Sequence, residues 1–337
     1  MDLNIYLMKK FVLLFLFFNI HLVAYNQVIK GTIFDINTKS TIYSASVYFN
    51  GTSVGTLSDE NGNFQLDISK YHPSMPLTIS AIGYYSVTLK DFSTVKPNLV
   101  YMNPKLFELN EVTVNAKFHG LQRSENLTIF RNEFLGTTGN AMNCKITNED
   151  DIRFKYSANK DTLKAYATKP ILIDNKALGY KITYYLDKFE YDKPGKSFLF
   201  KGSIIFQEDS TSKDSKKSYF ERKRKLAYLG SRIHFFRALW TNDINSAGFT
   251  VRNSANEIVH YDKIVFQKDN RTKYLKCPGG LGISYFTKQP TSFIVFLKES
   301  VFFDPNGYFE PDGIIWEGEI ARQRVADLVP YDYSIKE

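Results

Sequence analysis

The stretch from Val28 to Lys117 constrains the fold more than any other part of the chain, because it alternates and turns on a short beat. Val28 to Asp35 (VIKGTIFD) alternates apolar and polar residues as a half-buried strand does. Asn37 to Ser40 is a polar turn, and Ala45 to Asn50 (ASVYFN) alternates again with Val47 and Phe49 on one face. Gly51 and Gly55 bound a tight corner. Asp59-Glu60-Asn61-Gly62-Asn63 is a strong turn signal, since Asn and Gly tolerate positive φ. Phe64 to Ile68 alternates, and Pro73 and Pro76 break the chain before Leu77 to Leu89 (LTISAIGYYSVTL). Leu99 to Met102 and Val112 to Asn115 are further short strands. Short strands with turns at this spacing predict a small β-sandwich. The aromatic content, 15% with 28 Phe and 22 Tyr, leans toward strands as well.

Three features of this stretch suggest chemistry and are better read as structure. Gly51-Thr52-Ser53-Val54-Gly55 fits G-x-S-x-G, but a nucleophile elbow needs a strand-to-helix turn and this one leads into another strand. Asp59-x-Asn61-x-Asn63 resembles a calcium loop with its glycine misplaced, and Lys70 stands where the closing Glu is needed, so a hairpin turn is expected. Tyr84 and Tyr85 offer aromatic faces to a sugar, or pack the core and rim of a strand pair.

The same residues resemble a known family. Gly31-Thr32-Ile33-Phe34-Asp35, Ala45-Ser46-Val47, Gly51-Thr52, Gly55-Thr56-Leu57-Ser58-Asp59, Gly62-Asn63-Phe64, Ile79-Ser80-Ala81-Ile82-Gly83-Tyr84 and Leu109 to Val114 follow, in order, the pattern of carboxypeptidase regulatory-like domains. One departure is Ile42, where the family often has proline. The resemblance implies a seven-stranded-type transthyretin-like β-sandwich with a carbohydrate-binding-like fold, normally an accessory module and not a catalyst. Such modules precede the plug of TonB-dependent outer-membrane transporters and accompany carboxypeptidases and surface proteins.

The leading residues read as a targeting segment. Lys9 and Lys10 precede the apolar run Phe11 to Phe18, which continues weakly to Ala24. That block is too short for a bilayer span of about 20 residues and fits a secretory signal peptide over residues 1–26. No cysteine marks a lipid anchor, no later segment is apolar enough to form a transmembrane helix, and the expected location is periplasm, outer-membrane surface or the medium. The formal net charge of +8 falls by one without this segment. This mild basic balance suits anionic surfaces such as lipopolysaccharide or acidic glycans, or simple solubility, and the scatter of the basic residues argues for solubility; no nucleic-acid partner is expected. Cys144 and Cys277 either pair in an oxidising compartment or stay as buried thiols, and no histidine stands near them at zinc-ligand spacing.

Residues 27–117 are therefore expected to form the sandwich and residues 118–337 a strand-rich α+β domain. In the second part Phe118 to Glu125 reads as a linker, and Asn126 to Leu135 carries Leu127, Phe130, Phe134 and Leu135 at helical spacing. Ile152 to Tyr156 and Thr162 to Tyr166 predict a hairpin, Ile171 to Ile173 leads to a turn at Asp174-Asn175-Lys176, and Tyr180 to Phe189 and Ser197 to Gln207 are strands. Ser210-x-x-Lys213 fits S-x-x-K but lies in a polar loop. In Ser218 to Trp240, Tyr219, Arg222, Leu226 and Leu229 share one helical stripe, Gly230 ends that helix and Ser231 caps the next. His234 and Arg237 share a face there, and either bind an anionic group or satisfy backbone groups beside a core plug of Phe235, Leu239 and Trp240. Short strands follow, with a turn at Asp304-Pro305-Asn306-Gly307. This part resembles, less sharply, exported Bacteroidota proteins that carry a carboxypeptidase-like regulatory domain. That likeness implies an architecture and a compartment, not an activity.

The functional expectation is a non-enzymatic cell-envelope binding or scaffolding protein, with envelope proteins or glycans as partners, no cofactor and no metal. The alternatives are a component associated with a TonB-dependent transporter and, less favoured, a hydrolase. No histidine sits in a zinc-peptidase motif, which leaves Cys144 or Cys277 meeting His234 as the one nucleophile-base combination to test.

Overall fold

A computed structural model describes residues 27–69, 75–105, 116–157, 161–210, 214–268 and 272–335. The leading segment, His72, Pro73, the Leu109 to Val114 motif with the strand at Val112 to Asn115, Lys213 and the side chain of His119 lie outside the described residues.

The chain opens with β1 (Val28–Asp35), β2 (Ser46–Phe49), β3 (Gly55–Leu57), β4 (Asn63–Asp67), β5 (Leu77–Ser80), β6 (Val87–Leu89) and β7 (Asn98–Met102). They form two sheets, ordered β4-β1-β7 and β3-β2-β5-β6, which is the expected seven-strand sandwich. Alternation places Ile29, Ile33, Val47, Phe64, Leu66 and Ile79 between the sheets. Two details refine the expectation. The corner between Gly51 and Gly55 is a turn that leads straight into the short strand β3, and the Leu77 to Leu89 run breaks at Gly83, whose φ of +83° turns the chain between β5 and β6.

Helix α1 (Ala116–Phe134) covers Phe118 to Glu125 as well, so the expected linker is helical. Next come β8 (Cys144–Ile146), β9 (Ile152–Tyr156), β10 (Thr162–Ala167), β11 (Ile171–Asn175), β12 (Tyr180–Asp192) and β13 (Ser197–Glu208) in one six-stranded sheet. Phe130 and Phe134 lay α1 across this sheet, Phe130 tilted against Phe189 at 4.7 Å and Phe134 edge-to-face with Tyr184 at 4.8 Å between ring centroids. Beyond it run α2 (Asp214–Tyr228) and α3 (Arg232–Thr241). The remaining elements are β14 (Phe249–Arg252), α4 (Tyr261–Ile264), β15 (Val265–Gln267), β16 (Lys273–Leu275), β17 (Leu281–Tyr285), β18 (Ser292–Phe296), β19 (Val301–Phe303) and β20 (Ile314–Gly318). They make two further sheets, β14-β17-β18-β20 and β15-β16-β19.

Residues 118–337 thus build two cores. One surrounds the six-stranded sheet and takes in Val325, Ala326, Val329 and Tyr333 of the tail. The other surrounds Phe235, Phe236 and Leu239. α3 serves both, with Ile233 facing the first and Phe235 and Phe236 the second.

α2 does not bury the stripe its sequence suggests. Tyr219, Arg222 and Leu226 are exposed, while Phe220, Arg224 and Tyr228 are buried. An arginine wins the inner face because it is fully employed there. Arg224 Nε donates to the Leu178 carbonyl at 2.8 Å and Nη2 to Gly179 O at 3.1 Å. Nη1 pairs with Glu208 and Glu221, and the guanidinium lies 4.1 Å from the centre of the Tyr180 ring.

The sandwich is joined to the rest through the Gly51 to Ser53 corner. Gly51 N donates to Ile204 O at 2.9 Å, and Phe206 N to Thr52 O at 3.0 Å, so the corner adds to the free edge of β13. On its other side Tyr331 N donates to Gly51 O at 2.8 Å. Ser53 N donates to Asp332 Oδ1 at 2.9 Å, and the Ser53 hydroxyl donates to Oδ2. The G-x-S-x-G motif is a structural strut. Gly51 is required there: its φ is +81°, and a Cβ would lie 2.7 Å from the Tyr331 ring.

Candidate functional site

A cleft of about 890 Å³ opens where the three cores meet. That volume lies within the usual range for small-molecule sites, roughly 300–1,000 Å³. The sandwich contributes Asn50, Gly51 and Thr88, the six-stranded sheet Tyr184 and Phe200 to Ile204, and α3 its first turn. Tyr274, Phe302, Tyr308 and Phe309 close another side, and the tail from Gln323 to Tyr331 completes the lining.

Local sequence explains how polar groups come to face it. The β12–β13 ladder slips between Leu186 and Lys188, leaving Asp187 as an extra residue turned into the cleft. The protein around Asp187 pushes its carboxyl up, while Lys105 pulls it back. Opposite that slip, Gly202 admits Tyr184 close to the strand, since a Cβ there would fall 2.5 Å from the tyrosine ring.

The charged lining is mostly engaged. Lys201 pairs with Asp312 at 2.5 Å, and Glu310 pairs with Lys298. Asp327 Oδ1 accepts from the Thr138 hydroxyl at 2.7 Å and from Asn140 Nδ2 at 3.0 Å, and burial raises its pKa. Lys90 and Asp91 are exposed neighbours at the rim.

Arg232 differs. It is half-buried and lines the cleft, and it forms no ion pair among the described residues. Its Nε is buried without a hydrogen bond, and its Nη2 reaches only the carbonyls of Ile320 and Gln323 at 3.3 and 3.4 Å. Burial, reinforced by the like charge of Arg324, lowers its pKa to about 10, with Tyr331 opposing.

The residues singled out in the sequence do not line the cleft. His234 stands behind it, enclosed by Tyr228, Phe249 and Tyr285 at 4.9, 5.0 and 5.9 Å. Its Nδ1 accepts from Gly230 N at 3.1 Å, and its backbone N–H donates to Ser231 Oγ, the expected cap. Burial and the Arg237 charge lower its pKa to about 4, so the ring is neutral. Arg237 donates to the carbonyls of Asn306, Tyr333 and Tyr331 at 3.0, 2.8 and 2.8 Å. Neither side chain is free for an anion; the pair satisfies backbone groups and fastens the tail.

Tyr84 donates its hydroxyl to Asp35 Oδ2 at 2.9 Å, bracing the turn after β1. Tyr85 is exposed, with Lys105 Nζ 5.6 Å from its ring centre. The two tyrosines therefore do not form one sugar platform.

Cys144 and Cys277 are free thiols and do not form the disulfide held open by the sequence. Cys144 packs against the core of the six-stranded sheet and Cys277 belongs to the core of β14 to β20. Burial pushes the Cys144 thiol up to about 12 and also raises that of Cys277, the opposite of an activated nucleophile.

Sequence reasoning missed Arg232, although one signal was present. It follows the cap Ser231, and a cation in the first turn of a helix opposes the helix dipole. Such a placement needs a reason outside the helix.

No helix among the described residues is long and apolar enough to cross a membrane, and no group of three or more His, Cys, Asp or Glu among them is placed to hold a metal. The fold is that of a protein built on an N-terminal β-sandwich module with a strand-rich body. Residues 29–114 match the family model of the CarboxypepD_reg-like domain, so the chain carries this domain. No curated protein matches the chain. Among solved structures, a 9R-lipoxygenase from Cyanothece PCC8801 is similar at 11% identity over 66% of this chain and 48% of its own, with a TM-score of 0.18. The chain spans about half the length of that structure, and a likeness of this degree carries no argument here.

Proposed function

We propose that this is a non-enzymatic binding protein of the cell envelope, exported by its leading segment, that holds an envelope-derived ligand in the cleft between sandwich and body. The observation that carries the reading is the cleft itself: a ligand-sized space at a three-way junction, whose lining contains neither histidine nor cysteine among the described residues. Binding is favoured over catalysis because the histidine on α3 is neutral and enclosed, and both thiols have raised pKa values. The CarboxypepD_reg-like domain supplies one wall, which fits an accessory module recruited to shape a site.

Two measurements test this. Mass spectrometry of the chain from fractionated cells is expected to find it outside the cytoplasm with residues 1–26 removed; intact chain confined to the cytoplasm overturns the export. Retention of envelope glycans and extracts by the purified chain is expected to fall when the cleft is filled by Thr88→Trp. Retention unchanged by that variant places the ligand elsewhere.

A further inference from the structure

Three arginines on α2 and α3 point inward, and two of them are saturated. Arg224 has two carbonyls and two carboxylates, and Arg237 has three carbonyls at 2.8–3.0 Å. Arg232 has two long carbonyl contacts, an unfilled buried Nε and no carboxylate. A guanidinium out of water without strong acceptors is costly, and a protein keeps one where something else supplies the acceptor. Arg232 is among the residues that line the cleft, and its guanidinium carbon lies 5.6 Å from the centre of the Trp316 ring.

The rest of the lining narrows what the acceptor belongs to. Tyr184, Phe200, Tyr274, Tyr308, Phe309 and Tyr331 present aromatic surface, suited to an apolar or ring-shaped body. Carboxylates outnumber cations along the cleft, and Lys201 is already paired with Asp312. A ligand with several negative charges is repelled by that lining, whereas a single anion fits Arg232, the half-buried cation that has no carboxylate partner among the described residues; Lys90 stands exposed at the rim.

Resting on the cleft as the binding site, we propose that it takes a small molecule carrying one organic anion, a carboxylate or its sulfonate equivalent, on an apolar body, with Arg232 as the anchor. Bidentate contact between the guanidinium and the anion fills the empty Nε, and the aromatic side chains cover the body.

The test uses the purified full chain and 8-anilinonaphthalene-1-sulfonate, a single-anion aromatic probe, read by fluorescence. Saturable binding is expected, displaced by 4-phenylbutyrate at least about tenfold more effectively than by 4-phenylbutyramide, because a charge-assisted contact is lost in the amide. Arg232→Gln is expected to weaken probe binding about tenfold or more. Equal displacement by acid and amide overturns the anchor, as does unchanged probe binding by folded Arg232→Gln. Should that variant not fold, the acid-amide comparison on the natural chain decides alone. Thr88→Trp separates the two readings: probe binding that it leaves intact overturns the cleft as the site and the anchor with it. Loss of binding in Thr88→Trp with equal acid and amide affinities overturns only the anchor.

Discussion

The sandwich and the body are both strand-rich, yet they are held together by different means. In the sandwich the interior is apolar alternation closed by turns, and its buried polar groups are small: Thr52, Ser58, Thr78 and Ser80, with Asp35 tied to the turn beside it. In the body, charged side chains reach inward and grip distant carbonyls. Arg224 holds the 178–179 turn from α2, and Arg237 holds the tail from α3. A local pattern suffices to specify the first kind of order. The second depends on partners that lie far along the chain, 94 to 96 residues away for Arg237 and the tail.

Substitutions can break this contrast in order of size. Gly51→Val strikes the joint between the two regions, combining a positive φ with overlap onto Tyr331. We expect a loss of about 3 kcal/mol or more in denaturant unfolding, with the two regions melting separately. A single transition of unchanged midpoint contradicts the strut. Arg224→Met leaves the Leu178 carbonyl unpaired, takes from Gly179 O one of its two donors and removes this cation from Glu208 and Glu221, and a loss of about 2–4 kcal/mol is expected by the same measurement. A change below about 1 kcal/mol means that the bracket is dispensable.

Arg237→Met is expected to cost about 2 kcal/mol and to expose the segment after Val329 to protease while the sandwich stays resistant. Equal protection of the tail in the variant argues against the latch. The pH dependence sharpens the same point. The folded His234 has a pKa near 4 against 6.5 for a free imidazole. Between those values the unfolded chain takes up a proton that the folded chain refuses, so stability falls as pH drops from about 6.5 to 4 and then levels off for this group. His234→Asn, whose amide oxygen substitutes for Nδ1, is expected to flatten that part of a Tm-against-pH curve; an unaltered slope assigns it to other groups. The smallest effect belongs to the sandwich: Tyr84→Phe removes one hydroxyl bond to Asp35, and about 1 kcal/mol or less is expected in the sandwich transition.

Legibility in the sequence follows the same division. The strands from Val28 to Met102, the cap at Ser231 and the turn at Asp304 to Gly307 were readable because each is decided by neighbours within a few residues. The stripe on α2 was misread since a hydrophobic count does not anticipate a fully bonded arginine on the buried side. Phe118 to Glu125 has a mixed composition with no clear helical stripe, yet it belongs to α1, which is anchored further on by Phe130 and Phe134. Asn175, read as part of a turn, is fully buried and donates from its Nδ2 to Ala326 O, 151 residues away. At the site, sequence pointed to the right helix and the wrong side chains: His234 and Arg237 serve the backbone, and Arg232 faces the cleft.

The tail also sets an order of events during synthesis. A ribosome that has reached residue 320 has made the sandwich and every strand of the body among the described residues, but the segment from Gln323 to Tyr331 that lines the cleft is still unmade. Ser53 and Gly51, translated early, must wait for Asp332 and Tyr331 before their side of the joint closes. A nascent chain halted just short of these residues would carry nearly all of the described regular structure while the lining from Gln323 to Tyr331 was still missing, so the strands can be in place before the cleft has its last wall.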